Sequence, residues 1–181
     1  MIRTKLTAAA VLASTFALAA CGGGTVDADS DGDGTVTAAE VGAVVSDMRP
    51  EPGKYSVKMN LVKADIPGAP QQMLDAMGAM MNNTFEYCLT PEEAEKGFEE
   101  SLREGQDESC TIQKFELTGN NVDMAMSCSG EQQGDLQMAM TGTVGPTRSD
   151  ISVVTTGTLP QFGEANMEMS MLQERLGDCD S

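Results

Sequence analysis

The residues of this chain whose types and spacing suit chemistry are gathered in one acidic run, DSDGDGTVTAAE, from Asp29 to Glu40. Carboxylates recur at alternate positions, Asp29, Asp31 and Asp33, and Thr35, Thr37 and Glu40 follow with more oxygen. Carboxylates held this close repel one another unless a cation lies between them. Hard oxygens in this number suit Ca²⁺, which takes about six to eight of them. Thr35 would contribute its backbone carbonyl, and Gly34 falls where the chain must turn sharply.

The spacing resembles the loop of an EF-hand, whose ligands fall at the first, third, fifth, seventh, ninth and twelfth positions. The expected ligand set is therefore Asp29, Asp31, Asp33, Thr35, Thr37 and Glu40, with Val36 as the apolar residue among them. Thr37 and Glu40 also open the helical pattern that an outgoing helix requires. Gly22-Gly23-Gly24 cannot form the incoming helix, and no second loop is present to pair with. A single weak site follows, with Kd roughly 10⁻⁴–10⁻³ M. The competing reading is an acidic spacer that binds nothing.

What precedes the run places it. Met1 to Ala20 carries Arg3 and Lys5 and then an uncharged stretch rich in Ala, Leu, Val and Phe, the layout of an export signal. The stretch is too short, and too soon followed by Gly, to span a membrane. Leu18-Ala19-Ala20-Cys21 is similar to a bacterial lipobox, which makes Cys21 the expected lipidation site and the membrane a partner through the acyl chains. Gly22, not Asp, follows the cysteine. That resemblance implies an outer-membrane lipoprotein facing the periplasm.

Without Arg3 and Lys5, 9 of the 11 cations remain against 28 carboxylates, a formal charge of −19. Such a surface repels nucleic acid and anionic headgroups and favours cations or a basic protein partner. His and Trp are absent, which excludes His-based acid–base catalysis and His–metal sites. The carboxylate pairs Glu92/Glu93 and Glu99/Glu100 belong to a charged helix face, so no catalytic residue is assigned and the chain is not read as an enzyme. Past the leader stand Cys88, Cys110, Cys128 and Cys179. An even number in an exported chain predicts disulfides, and of the three pairings the spacing favours Cys88 with Cys110 and Cys128 with Cys179.

Periodicity supplies the elements that must position these residues. Thr37 to Arg49 has Val41, Val44, Val45 and Met48 on one helical face, and Pro50 and Pro52 stop it. Alternation through Tyr55, Val57, Met59 and Leu61 predicts a half-buried strand. Pro70 opens a helix with Met73, Met77, Met80 and Met81 on one face, and a short strand passes through Phe85 and Tyr87. Thr90-Pro91-Glu92-Glu93 reads as a capping box for a helix with Ala94, Phe98 and Leu102 inward, ended by Gly105. After Cys110 only strands follow, with turn signals at Gly119-Asn120-Asn121, Ser129-Gly130, Gly145-Pro146 and Gly163. The fold class is mainly β (α+β), a curved antiparallel β-meander of about six strands with two short helices packed on one face. The divisions are a leader at 1–20, an acidic tether with the loop and a short helix at 21–50, and a disulfide-stapled β-rich domain at 51–181. Gly22 to Asp33 offers no packing residues in this reading.

Pro52-Gly53-Lys54-Tyr55, Cys88-Leu89-Thr90-Pro91-Glu92-Glu93-Ala94, Cys110, Cys128-Ser129-Gly130 and Gly177-Asp178-Cys179, in that order, resemble the proteobacterial domain-of-unknown-function 3617 family. The resemblance runs from about Pro52 to Cys179 and leaves the acidic loop outside. It implies an exported, often lipid-anchored protein, and neither activity nor catalytic residues. Twelve of the 14 methionines lie between Met59 and Met171, several as Met-x-Met in strands, where the period of two puts both thioethers on one face. The plain reading is a soft core. Two sharper ones are a pliable groove for a hydrophobic ligand and capture of Cu(I) by soft thioethers, with the acidic loop then only a spacer. The expectation that unites the chain is a lipid-anchored envelope protein with a Ca²⁺ loop, acting by binding or structure.

Overall fold

The computed structural model describes residues 25–96, 110–130, 134–159 and 162–180. The leader, Cys21, Phe98, Leu102 and Gly105 lie outside the described residues. In chain order the elements are β1 (Thr25–Asp27), α1 (Ala38–Val44) with a 3₁₀ turn (Ser46–Met48), β2 (Gly53–Asp65), α2 (Gln71–Met81) and β3 (Asn83–Leu89). A helical segment at 91–96 follows. Then come β4 (Cys110–Thr118), β5 (Asn121–Gly130), β6 (Gly134–Thr143), β7 (Arg148–Leu159) and β8 (Gly163–Gly177). Among the described residues no helix is long and apolar enough to cross a membrane.

All strands belong to one antiparallel sheet in the order β1-β4-β5-β6-β7-β8-β2-β3. The chain is mainly β, but the sheet has eight strands where the sequence suggested about six. One addition is β1, whose three exposed residues show no alternation and which forms only because the edge of β4 accepts it, Val26 lying opposite Leu117. The short strand expected through Phe85 and Tyr87 is β3, which pairs with β2 along its seven residues. Strands β4 to β8 form a meander, and the earlier β2–β3 hairpin joins its far side through β2 and β8.

One hydrophobic cluster holds the molecule together. Ile112 and Phe115 of β4 and Val122 and Met124 of β5 pack with Ile151 of β7 and with Ala28, Val36, Val41 and Val45. Those last four come from the stretch read as a tether. Ala28 is 1% exposed and Val41 fully buried. α1 forms where Thr37 caps it, ends at Val45, and turns Val41 inward. α2 behaves differently. It packs chiefly along β2 and buries none of its residues, with Met80 82% exposed. Met73, Met77 and Met81 are half-buried, so the methionine face is covered only in part, with no second layer among the described residues over the helix that bridges this edge hairpin.

The disulfides join Cys88 to Cys179 and Cys110 to Cys128, which corrects the pairing that spacing favoured. Sheet register explains it. Cys110 lies directly across from Cys128 on the β4–β5 hairpin. Lys54 lies opposite Cys88 on one side and Gly177 on the other, so β2 carries Cys179 to Cys88, with Cα atoms 5.7 Å apart. Spacing along the chain could not anticipate that β2 inserts between β8 and β3.

The strands also meet closely at glycines. A Cβ on Gly142, whose φ is +150°, would sit 2.1 Å from the Asp150 carbonyl oxygen. At Gly53, φ +150°, it would sit 2.4 Å from the Gly177 carbonyl oxygen. Gly142→Ala should therefore destabilise by about 1–3 kcal/mol in urea unfolding, whereas Gly130→Ala, which meets nothing within 4 Å, should be near neutral. In the chain-entropy model, losing the Cys88–Cys179 link, with sequence separation 91, costs about 4.6 kcal/mol against about 3.2 for Cys110–Cys128 at separation 18. Removing each pair by Cys→Ser and comparing unfolding midpoints checks that order.

Candidate functional site

The acidic run forms a closed loop between β1 and α1. Gly32 and Gly34 adopt φ of +72° and +85°, a region glycine enters without the Cβ penalty. These turns let the Asp29 carboxylate accept from the amides of Gly32 (2.8 Å) and Gly34 (3.1 Å). Asp31 accepts from the Asp33 amide at 3.1 Å, and Asp33 accepts from the Thr35 amide at 2.8 Å and from its hydroxyl at 2.6 Å. As a result the carboxylates of Asp29, Asp31 and Asp33 converge, with ligand oxygens all within 4.8 Å of one another. Around Ca²⁺ at about 2.3–2.6 Å, opposed ligands are separated by about 5 Å, so the three fit one ion.

The rest of the expected set is arranged differently. Thr37 is the N-cap of α1 and forms a reciprocal capping box with Glu40. The Glu40 carboxylate accepts from the Thr37 amide and hydroxyl, both at 2.9 Å, and from the Ser30 hydroxyl at 2.9 Å. It thus ties the second residue of the loop to the last. The Thr37 amide, then its hydroxyl, then Ser30 hold the Glu40 carboxyl below its ordinary value. Thr35 is bound to Asp33 through its amide and hydroxyl, which leaves its carbonyl for a cation. Cys21 is outside the described residues, and the four remaining cysteines are spent in disulfides.

A second feature was only half visible in the sequence. A cavity of about 420 Å³ opens beneath the end of α1. Every strand from β2 to β8 lines it, from Tyr55 and Tyr87 through Phe115, Val122, Met140, Ile151 and Met171. Seven flat strands at about 4.8 Å spacing would extend over about 29 Å, so a sheet that touches one cavity this small with all of them is strongly curved. Register puts methionines on the same face in direct pairs, Met124 opposite Met140 and Met126 opposite Met138. Met124 is buried, and Met126, Met140 and Met171 pack half-buried against the cluster. The Met-x-Met pattern revealed a common face. It did not reveal that β2 and β3 curl back to complete a wall.

The cavity's aromatic wall is held by polar contacts. The Tyr55 hydroxyl lies 2.7 Å from the Glu51 carbonyl and 2.8 Å from that of Pro146, and shares its one proton between them. Its ring stacks on Tyr87, with centroids 5.7 Å apart. The Gln173 amide donates to the Tyr87 hydroxyl at 2.7 Å. Burial, above all, raises the pKa of both phenols.

A family model described as "Protein of unknown function (DUF3617)" matches residues 50–179. The chain belongs to this family. No curated relative and no solved structure matches it. The DUF3617 region supplies β2 to β8, both disulfides and most of the cavity. The loop and α1 lie before it, yet their apolar residues share its core. Within the family region, the Pro52-Gly53-Lys54-Tyr55 segment is where the chain enters the sheet. There the Pro52 carbonyl accepts from the Arg175 side chain at 2.9 Å and Tyr55 locks onto the Pro146 turn.

A carboxylate with a depressed folded pKa adds stability above its unfolded value and loses it as pH falls through the folded one. The Glu40 cap should accordingly persist as pH falls past 4.5 and release only below it. NMR titration of the Glu40 carboxyl should show that depressed midpoint, and Thr37→Ala should move it up towards 4.5.

Proposed function

We propose that this is a lipid-anchored protein of the outer membrane, facing the periplasm. It works as a binding module without catalysis, and its loop from Asp29 to Glu40 holds one Ca²⁺ ion. The observation that carries the reading is the convergence of Asp29, Asp31 and Asp33 on a loop fixed at two points to β4. On the near side Ala28 donates its amide to Phe115 at 2.9 Å, and inside the loop Val36 donates to Ile112 at 3.1 Å. The three aspartates supply the charge, the Thr35 carbonyl and Thr37 add neutral oxygens, and Glu40 closes the set by leaving its contact with Ser30. Bound Ca²⁺ neutralises the crowded carboxylates of a loop that buried Val36, Val41 and Val45 already seat on the sheet.

The anchor rests on the lipobox-like Leu18-Ala19-Ala20-Cys21. Acyl chains on Cys21 hold the domain at the bilayer, while a chain of 28 carboxylates against 11 cations stands off from anionic headgroups. The absence of His from the whole sequence and the disulfide state of the described cysteines support a binding role over catalysis.

Calorimetric titration of the protein with Ca²⁺ should give one site with Kd roughly 10⁻⁴–10⁻³ M. At tenfold excess over Kd the ion should add about 1.4 kcal/mol of stability. The Asp31→Asn/Asp33→Asn double variant should lose the heat and the stabilisation while keeping its fold. A wild-type titration that matches the variant would sink the Ca²⁺ assignment. Palmitate labelling that survives Cys21→Ser would do the same for the anchor.

A further inference from the structure

The cavity under α1 is built to take more than side chains. Its floor is apolar, formed by Phe115, Val122, Met140, Ile151 and Met171 from five strands. Its volume of about 420 Å³ falls at the lower end of the range of small-molecule sites, roughly 300–1,000 Å³. That is room for an alkyl chain. Three floor residues are buried, while the methionines are half-buried and unbranched, so they adjust to a flexible chain.

The polar groups that line the cavity are unequally spent. Arg148 is paired with Glu174 and lies 3.7 Å from Asp150. Glu93 is turned back into its own capping box, where Thr90 donates to it through amide and hydroxyl at 2.8 Å. Tyr87 accepts from Gln173 and still has its own proton to give. Arg49 lines the cavity and is exposed, and no carboxylate of the described residues pairs with it. By contrast Lys54, Lys63, Lys114, Arg148 and Arg175 each have a carboxylate within 4 Å, and exposed Lys58, which is in no such pair among the described residues, does not line the cavity. In so acidic a chain, an uncompensated guanidinium and an unspent phenol lining the same apolar chamber leave donors without an acceptor there. Guanidinium and hydroxyl donors together match a carboxylate.

We propose that the cavity binds a single-chain fatty-acid-type carboxylate, its alkyl chain on the Met140–Met171 floor and its carboxylate at Arg49 and Tyr87. The site gives the binding module of the preceding section a ligand class, and it rests on that module reading alone. It does not depend on the Ca²⁺ assignment.

The test is calorimetric titration of the protein in EDTA with laurate kept below its micellar concentration, with lauryl alcohol and dodecyltrimethylammonium as matched probes. One laurate should bind saturably, more tightly than the alcohol and far more tightly than the cation. Arg49→Gln should weaken laurate about tenfold and leave the alcohol unchanged. Met140→Trp should fill the chamber and abolish binding. If that variant does not fold, Met48→Trp at the end of α1 serves the same purpose. No laurate binding, equal binding of all three probes, or undiminished binding to a folded chamber-filled variant each overturns the proposal. Since the titration is run without Ca²⁺, none of these outcomes bears on the acidic loop.

Discussion

The structure depends on what happens at the edge of β4. Ile112 and Phe115 on that strand are fully buried, yet β4 is the outermost strand of the long meander and would otherwise end in unpaired backbone groups and an uncovered apolar face. Such an edge invites pairing with another chain. Here residues 25–48 close it. Asp27, Ala28 and Val36 take up the edge in turn, and Val41 and Val45 cover the side chains. Only Val36 has to be both a loop residue and a strand partner, and the loop's two glycine turns allow it.

Curvature is the second constraint, and it links the edge to the cavity. A wide antiparallel sheet with one covered face must bend to bring its ends under a short helix. Close backbone approach at Gly142 and Gly53, together with register shifts in β2 and β4, supplies the bend. Because α1 is short and α2 packs elsewhere, the curled sheet is only partly filled from above. The cavity is the remainder. Its wall on one side is the end of α1, so the segment that seals β4 also shapes the chamber.

Much of this was legible in the sequence, for identifiable reasons. Period-two alternation and glycine turns marked β4 to β8, and the Thr37/Glu40 and Thr90/Glu93 capping boxes appear as the spacing implies. The Asp29, Asp31, Asp33 convergence follows from alternate residues on one side of a tight loop. What stayed hidden was long-range. β1 has no pattern of its own and exists by courtesy of β4. The disulfides were misjudged because pairing depends on β2 lying between β8 and β3, which local spacing does not encode. The α2 methionines satisfied helical periodicity, but periodicity says which residues share a face and not whether anything covers it. The cavity needed strands more than 80 residues apart, as Tyr87 and Gln173 show with a separation of 86.

Magnitudes decide what a cation can do at the loop. Carboxylates with oxygens 4.8 Å apart repel by only about 1 kcal/mol per pair in water-like surroundings. Burying one valine side chain is worth about 1.5–3 kcal/mol, and Val36, Val41 and Val45 are all buried. Apolar packing therefore outweighs the repulsion, and the loop can remain seated on β4 without an ion. A cation bound there, as proposed above, would relieve carboxylate repulsion in a segment already docked and would have no coil to fold. Under that proposal the site would have low affinity in a firm structural setting. Glu40 is the carboxylate shared between the loop's closure and the first turn of α1, so the proposed ion would act on the helix through it. Glu40 caps the first turn of α1, and Val45 and Met48 past its last turn line the cavity, so the loop's closure and the cavity wall share one short helix.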